Sequence, residues 1–343
     1  MTRRMIITLG LFLACTLHAM AQNKWLSLKG TKGIGSGQHV IFITGEEYYR
    51  SEEGMSMFAR ILSQKYGYKC SVLFSIDKVT GTINPNQRNH IPGLHLLEDA
   101  DLMVIFTRFR ELPDSEMKYI VDYVNDGKPV IGVRNATHAF RYQANSPSLY
   151  TSWDWHSTQW PGGFGQQILG DTWVSHYGKF QQEATLAHIN PVHRNHPVMQ
   201  GVNDKIFIRT DVNGVNQLGP EDKILLRGQV LSGRTPESSP VTDERKDTRM
   251  PLAWFRSYKA QSGKTGRAFC TTSGASVDWL SEDLRRLMIN VIFDLTGHTH
   301  EIPVETDVDF IMEYQPSAFG SLTDAQWRTK ALTPDDFLPG HLK

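Results

Sequence analysis

Short apolar runs rich in β-branched residues alternate with stretches of helical period along the first half of the chain. The runs lie at 39–44, 69–74, 101–109 and 129–133. Between them, residues 55–66 and 117–124 repeat apolar side chains every three to four positions. A strand without polar alternation is typical of a parallel sheet that is covered on both faces. Strands that alternate with helices indicate βαβ units, so the sequence predicts an α/β fold with a mostly parallel sheet and helices on both faces.

The second half of the chain is less regular. Residues 143–180 are polar, aromatic and rich in glycine, which is typical of an insertion or lid. Further strands are expected at 184–189, 205–210, 223–231, 251–258 and 267–272, before a closing helix at 280–295. We therefore divide the chain into an N-terminal segment at 22–37, one α/β domain at 38–300 and a C-terminal tail at 301–343 that wraps the domain.

The first 21 residues have the three-part pattern of a secretory signal peptide. Arg3 and Arg4 precede an apolar run at 5–17, and Ala19 and Ala21 place small residues before a cleavage point. The run is shorter than the roughly 20 apolar residues that span a bilayer, and no amphipathic period supports a buried helix instead. The sequence predicts a mature chain that begins at Gln22 and is periplasmic or secreted.

The charge balance excludes one class of partner. The chain has 36 Lys and Arg against 36 Asp and Glu, and this zero net charge gives no electrostatic basis for binding nucleic acid. No segment of the mature chain is apolar enough to cross a membrane. Cys70 and Cys270 lie in apolar strand-like runs, which favours two buried free thiols, with a disulfide as the alternative. No Cys/His spacing of a zinc site occurs.

Polar clusters follow three predicted strands at 45–52, 107–110 and 134–138. The carboxyl ends of parallel strands meet at one edge of a sheet, which is where ligands bind in open α/β folds. A carboxylate, a guanidinium and an imidazole together could move a proton and stabilise an oxyanion. The candidates for catalysis are Glu46, Glu47, Arg134 and His138, and those for substrate binding are Tyr48, Arg108 and Asn135. The alternative is that the glutamates are solvated and the arginines form internal ion pairs.

A second group of candidates comes from later segments. Trp173 and Trp160 could stack on a sugar face, and Asp278 follows another predicted strand end. His176 is a further substrate-binding candidate, and Asp211 is a possible third member of a group with His138 and His176. No cofactor and no metal ligand is predicted, although His138 and His176 are the pair that could hold a divalent metal.

The long motifs of this chain resemble the exported ThuA-like (trehalose-utilisation) family. They are ITGEEYYRSEE, ADLMVIFTRFRELPDSEM, GKPVIGVRNATHAF, GGFGQQILGDTWVSHYGK and RRLMINVIFDLTG, and the resemblance covers roughly residues 38–320. It implies a flavodoxin-related sandwich like that of class I glutamine amidotransferases. Arg134 stands where those enzymes have their nucleophilic cysteine, so glutamine hydrolysis by that route is not expected.

The resemblance also implies a role in the use of trehalose, other disaccharides and 3-keto-sugars. One hypothesis is an enzyme that acts on a small carbohydrate as a hydrolase, isomerase or lyase without a cysteine nucleophile. The other is a non-catalytic sugar-binding or accessory protein on the same fold. The sequence leaves the substrate and the oligomeric state open.

Overall fold

Ten strands form one mixed sheet in the computed structural model, which describes residues 23–340. The strands are β1 (Leu26–Leu28), β2 (His39–Gly45), β3 (Lys69–Leu73), β4 (Leu102–Thr107), β5 (Val130–Val133), β6 (Thr185–Ile189), β7 (Lys205–Ile208), β8 (Lys223–Val230), β9 (Arg249–Lys259) and β10 (Thr265–Thr271). The α-helices in the same part of the chain are α1 (Ser51–Tyr66), α2 (Asp114–Asn125), α3 (Glu282–Leu295) and α4 (Asp324–Lys330). The predicted signal peptide lies outside the described residues.

The sheet has a parallel half and an antiparallel half. Its strand order is β1-β3-β2-β4-β5-β10-β9-β8-β6-β7. Strands β3, β2, β4, β5 and β10 are parallel to their neighbours in that series, whereas β9, β8, β6 and β7 extend it with antiparallel pairings. The predicted α/β class and its parallel strands are confirmed, and the flavodoxin-like details stay predictions.

The two faces of the sheet belong to two hydrophobic clusters. Along β2, Val40 and Phe42 join the cluster that contains the apolar residues of α1 and α3. Ile41 and Ile43 join the other cluster, together with those of α2. This alternation follows from the two-residue period of a strand, and it explains why every residue of β2 is buried.

Helix α1 ends where the sequence predicts it to end. Gly67 adopts a left-handed conformation with φ of 77°, and its N–H bonds the carbonyl of Leu62. Such a C-terminal turn favours glycine, because a Cβ is disfavoured at positive φ. The chain then enters β3 two residues later, which places α1 directly against the strands that it connects.

The two cysteines are buried and free. Each lies within the sheet, Cys70 on β3 and Cys270 on β10. The prediction of two buried free thiols is confirmed, and burial raises the pKa of both thiols. Within residues 23–340, no helix combines the length and the apolar character that crossing a membrane requires.

The C-terminal segment at 303–340 packs against α1 and α3. Arg285 of α3 donates to the carbonyl of Val308 at 3.0 Å, and Arg60 of α1 donates to the carbonyl of Phe337 at 2.9 Å. At the start of α1, Arg50 donates to the carbonyl of Gly320 at 2.7 Å. The end of the chain therefore contributes to the same sheet edge at which β2 ends.

Glu52, in the first turn of α1, has an unusual environment. Its side chain is buried, and neither carboxylate oxygen has a hydrogen-bond partner among the described residues. Burial, followed by the charge of Glu53, raises the pKa of Glu52 to about 8, although Arg50 opposes the shift. The carboxyl is therefore held in its neutral form near neutral pH.

We expect Glu52 to make the protein less stable as the pH rises. A carboxyl whose folded-state pKa is raised stabilises the fold fully below its unfolded value of 4.5, and this contribution is lost as the pH approaches 8. The loss over the full shift from 4.5 to about 8 is on the order of 5 kcal/mol, at about 1.4 kcal/mol per pKa unit. Urea unfolding of wild type and Glu52→Gln from pH 5 to 9 should show a growing advantage of the variant. The exposed control Glu221→Gln should show none, and parallel curves for wild type and Glu52→Gln would contradict the assignment.

Candidate active site

Four parallel strands end side by side at one edge of the sheet. Strands β2, β4, β5 and β10 are consecutive neighbours, so the segments that follow them, 46–50, 108–110, 134–138 and 272–278, come together. These segments contain the predicted site residues Glu46, Glu47, Tyr48, Arg108, Asn135, Arg134, His138 and Asp278. The predicted residues therefore lie in one region of the molecule, at the carboxyl ends of parallel strands.

Strained backbone is concentrated at this edge. The described non-glycine residues with positive φ are Arg50, Phe109, Arg134, Gln181 and Ala331. The first three lie just beyond the ends of β2, β4 and β5, and Gln181 bonds the hydroxyl of Tyr48 at 2.8 Å. Residues other than glycine rarely adopt a positive φ, and residues held in this backbone conformation concentrate at functional sites.

Glu47 holds together the arginines that surround it. Its Oε1 accepts from Arg108 at 2.7 and 3.1 Å and from Arg88 at 3.4 Å, while Oε2 accepts from Arg110 at 3.5 Å. Burial acts to lower the pKa of Arg108, but the carboxylate of Glu47 outweighs it and raises that pKa overall. Three guanidinium groups therefore share one carboxylate, which leaves an excess of positive charge at this part of the edge.

Glu46 is fully buried and its carboxylate is bound on both oxygens. Oε2 accepts from the backbone N–H groups of Tyr48 (2.8 Å) and Tyr49, and Oε1 accepts from the side-chain amide of Asn135 at 2.9 Å. Burial and the charge of Glu47 raise the pKa of Glu46, and the hydrogen-bond donors limit the rise. Glu46 and Asn135 thus link the turn after β2 to the turn after β5.

Arg134 is fully buried, and its Nη1 makes hydrogen bonds to two other segments. It donates to Oγ1 of Thr210 and to the carbonyl of Thr272, both at 2.8 Å. Its guanidinium lies 3.6 Å from Asp211 and 3.9 Å from Asp278. The two carboxylates attract the buried cation between them, and the three groups form one charge network.

The ring of Tyr49 covers the guanidinium of Arg134 at 4.0 Å from the ring centroid. Burial acts to lower the pKa of Arg134, but Tyr49 and the two aspartates outweigh it and raise that pKa overall. Contact between Arg134 and a ligand stays a prediction. In this arrangement Arg134 instead positions the turn after β5 and the residues bound to it.

Asp278 is buried, and its carboxylate is hydrogen-bonded to other residues of this chain. It accepts from the N–H and hydroxyl of Thr210 at 3.1 and 2.7 Å, and from the N–H groups of Gly274 and Ala275 at 3.0 Å. These bonds join the loop after β10 to the segment after β7. Its predicted role in substrate binding stays a prediction, and the geometry assigns it a positioning role.

His176 and Asp211 form a hydrogen-bonded pair. The imidazole Nδ1 lies 2.6 Å from Oδ2 of Asp211, whose side chain is fully buried, while the side chain of His176 is 32% exposed. An ionised carboxylate can only accept, so it fixes the proton on Nδ1 and leaves Nε2 free to take a proton. The other oxygen of Asp211 faces Arg134, so a buried cation, a carboxylate and an accessible imidazole follow one another.

His138 lies among aromatic rings and is the last residue of the short 3-10 helix that follows β5. Its ring centroid is 5.1 Å from that of Phe109 and 5.3 Å from that of Trp173. Burial, and then the charges of Arg108, His176 and Arg134, lower the pKa of His138 well below its usual range. The sequence predicts a proton carrier that titrates near neutrality, but this imidazole is neutral there. Its role as a proton carrier stays a prediction.

Rings continue from His138 across the surface of the site, and we call this set the aromatic strip. Consecutive centroids are 4.8 to 5.7 Å apart from Trp173 through His176 and Phe180 to Tyr48. The strip consists of Phe109, His138, Trp155, Trp173, His176, Phe180, Tyr48 and Phe319. Aromatic faces with a few polar groups are typical of small-molecule sites.

The described part of the chain contains no group of three or more His, Cys, Asp or Glu side chains arranged to hold a metal ion. The charge of His176 contributes to the lowered pKa of His138, and Trp173 lies near both rings. A divalent metal between them stays a prediction without support in this geometry.

The ThuA family model, described as trehalose utilisation, matches residues 40–292. The chain belongs to the ThuA family. A ThuA-like protein from Bacteroides uniformis has a similar structure, with a TM-score of 0.47, 10% identity, and coverage of 77% of this chain and 93% of that one. A second, from Parabacteroides merdae, has a TM-score of 0.44, 12% identity, and coverage of 83% and 97%. No curated protein sequence matches this chain.

In this ThuA protein, Arg134 occupies the turn between β5 and the short helix that follows it. Strand β5 passes directly into Arg134, with φ of 45°, and then into a 3-10 helix at Arg134–His138. Hydrolases present a nucleophile on a strained strand-to-helix turn of this kind. An arginine there is a permanent cation and not a nucleophile, so chemistry at this site depends on the groups around the turn.

Several residues of this ThuA protein's site could not be identified from sequence. Arg88 lies in a polar loop, and Trp155, Phe180 and Phe319 come from the predicted lid and tail. The contacts of Phe180 and Phe319 with Tyr48 join segments separated by more than a hundred residues, and no local pattern marks any of the four residues. Trp160, by contrast, packs on Trp153 at 5.2 Å and is not part of the aromatic strip.

Proposed function

We propose that this protein is an exported enzyme of carbohydrate utilisation that moves a proton on a sugar substrate without a covalent nucleophile. The observation that carries the proposal is the pair of His176 and Asp211 within the aromatic strip. A carboxylate that orients an accessible imidazole is the arrangement of a general base. Aromatic faces on both sides of His176 suit the apolar face of a pyranose ring.

The reaction that fits these groups is proton abstraction beside the carbonyl of an oxidised sugar. Nε2 of His176 would take the proton from the carbon next to the carbonyl, and the electron pair would move onto the carbonyl oxygen. The guanidinium of Arg108, 26% exposed at this edge, would stabilise the resulting negative charge. If the proton returns to the former carbonyl carbon while the hydroxyl of the neighbouring carbon gives its proton to the first oxygen, the product is an isomer. If the enolate re-forms the carbonyl and expels the glycosidic oxygen of the next carbon, which takes up a proton, the product is that of an elimination. A 3-keto-disaccharide permits both.

The second candidate function is sugar binding without turnover. It is favoured by the complete burial of Arg134 and Glu46, since neither can contact a substrate in this arrangement. The aromatic strip would then be a platform for stacking, and the buried network would only maintain its shape.

Proton exchange distinguishes the two functions. The protein is incubated in D₂O with a 3-keto-disaccharide, and deuterium entry beside the carbonyl is followed by NMR, with the parent disaccharide as the control. We expect incorporation into the keto-sugar alone, above the background rate without protein. Binding of either sugar with no exchange would support the non-catalytic function, and no binding of either would contradict both.

A further inference from the structure

A cavity of about 560 Å³ lies next to the aromatic strip, and Phe109 lines both. Its lining is mainly polar and includes the guanidinium-bearing residues Arg88 and Arg141. The lining also contains one carboxylate residue, Glu111. The volume is that of a small-molecule site, and it adjoins the residues that we assign to proton transfer.

Three guanidinium groups surround the ring of Phe109. The distances from its centroid are 5.0 Å for Arg108, 5.4 Å for Arg141 and 5.7 Å for Arg88. An aromatic face attracts each cation, but three like charges around one ring repel one another. Phe109 itself has a φ of 55°, so the backbone is strained where these groups meet.

The described residues neutralise this charge only in part, although Arg108 also lies 3.9 Å from Glu46. Glu47 is already shared by Arg88, Arg108 and Arg110. The Arg88 side chain remains 47% exposed. Positive charge therefore exceeds negative charge around the wall that Phe109 forms.

Arg141 is the cation without a counterion. It is exposed, and its side chain makes no hydrogen bond or ion pair with any residue in the range 23–340. Its guanidinium instead makes a cation–π contact with the ring of Phe109. Glu111 forms no ion pair with it within the described residues, and the Glu111 carboxylate instead accepts from the N–H of Gln143 at 3.4 Å. A guanidinium held in a cavity wall in this way is free to bind an anion.

We propose that this cavity is an anion subsite that binds the carboxylate of a sugar acid, through Arg141 and Arg88, while the sugar ring lies on the aromatic strip. This specificity rests on the proposed carbohydrate function. Two guanidinium groups match the planar oxygens of a carboxylate, and guanidinium forks bind such groups with both oxygens. A single substrate would contact Phe109 twice, with its sugar ring on the aromatic strip and with its carboxylate in the cavity.

The test compares D-glucuronate with D-glucose, which differ in the carboxylate. Calorimetry at low salt measures both sugars with wild type, Arg141→Gln and Arg209→Gln. Arg209 is a matched control, because it is also exposed, lies 5.9 Å from the ring of Phe207 and has no ion pair among the described residues. We expect wild type to prefer glucuronate by about 10- to 100-fold, as charge-assisted hydrogen bonds would give.

Arg141→Gln should remove most of this preference and leave glucose binding unchanged, while Arg209→Gln should behave as wild type. Equal affinity for the two sugars in all three proteins would overturn the subsite and leave the carbohydrate function intact. Arg141-dependent binding of glucuronate, with no binding of a 3-keto-disaccharide, would support the subsite and contradict the proposed substrate. Binding of inorganic phosphate without any sugar acid would overturn the sugar-acid assignment.

Discussion

Replacing His176 with glutamine should slow deuterium exchange into a 3-keto-disaccharide by about 10²- to 10⁴-fold, the range that a general base contributes. The imidazole is the accessible proton acceptor of the aromatic strip, and Asp211 fixes its orientation at 2.6 Å. Glutamine retains polar atoms of similar reach but cannot take the proton. Substrate affinity should change much less than the rate, because the neighbouring rings remain.

The matched control is His300→Gln, which removes an exposed histidine far along the chain and should leave the rate unchanged. Asp211→Asn should also slow exchange, because an amide no longer fixes the proton on Nδ1. A His176→Gln protein that exchanges at the wild-type rate would exclude His176 as the base. His138, which the sequence predicts as a catalytic residue, would then be the remaining imidazole of the aromatic strip that could act as the base.

Arg134→Met should lower the free energy of unfolding by about 3–5 kcal/mol, the usual cost of removing one partner from a buried ion network. The substitution would leave Asp211 and Asp278 buried without their shared cation. Urea unfolding measures the loss. Arg194→Gln is the control, since Arg194 pairs with Asp204 on the surface, where ion pairs contribute about 0–1 kcal/mol.

Arg134→Lys separates positioning from ligand contact. Lysine keeps the charge but cannot reach both threonine acceptors in the fixed geometry of a guanidinium. If Arg134 positions the turn, the free energy of unfolding should fall. The affinity for a sugar should then change only because the shape of the site is altered. Unchanged stability with markedly weaker affinity would contradict the positioning role and support the ligand contact that the sequence predicts.

The elements of the fold were predictable where the pattern is local. The buried runs at β2, β4 and β10, the helical periods of α1 and α3 and the stop at Gly67 all depend on neighbouring residues. The convergence of Glu46, Arg108 and Asn135 followed from the rule on parallel strand ends. These inferences required no knowledge of which distant segments meet.

The rest depends on contacts between distant segments. Burial of Arg134 is decided by Thr210 and Asp278, which lie 76 and about 140 residues away along the chain. The low pKa of His138 arises from rings and charges supplied by three other segments. Sequence spacing holds no information on such distances, so it identified the residues of the edge better than their roles.

The position of β10 has a consequence for how the chain is made. Strand β10 fills the place between β5 and β9, although β5 is complete at residue 133 and β10 only at residue 271. Strand β5 therefore lacks this partner until 138 further residues (271 − 133) have followed it out of the ribosome or across the membrane. During that interval an apolar strand keeps an open edge of unpaired N–H and C=O groups, to which another nascent chain can add. A binding chaperone that covers β5 until residue 271 emerges would therefore raise the yield of folded protein.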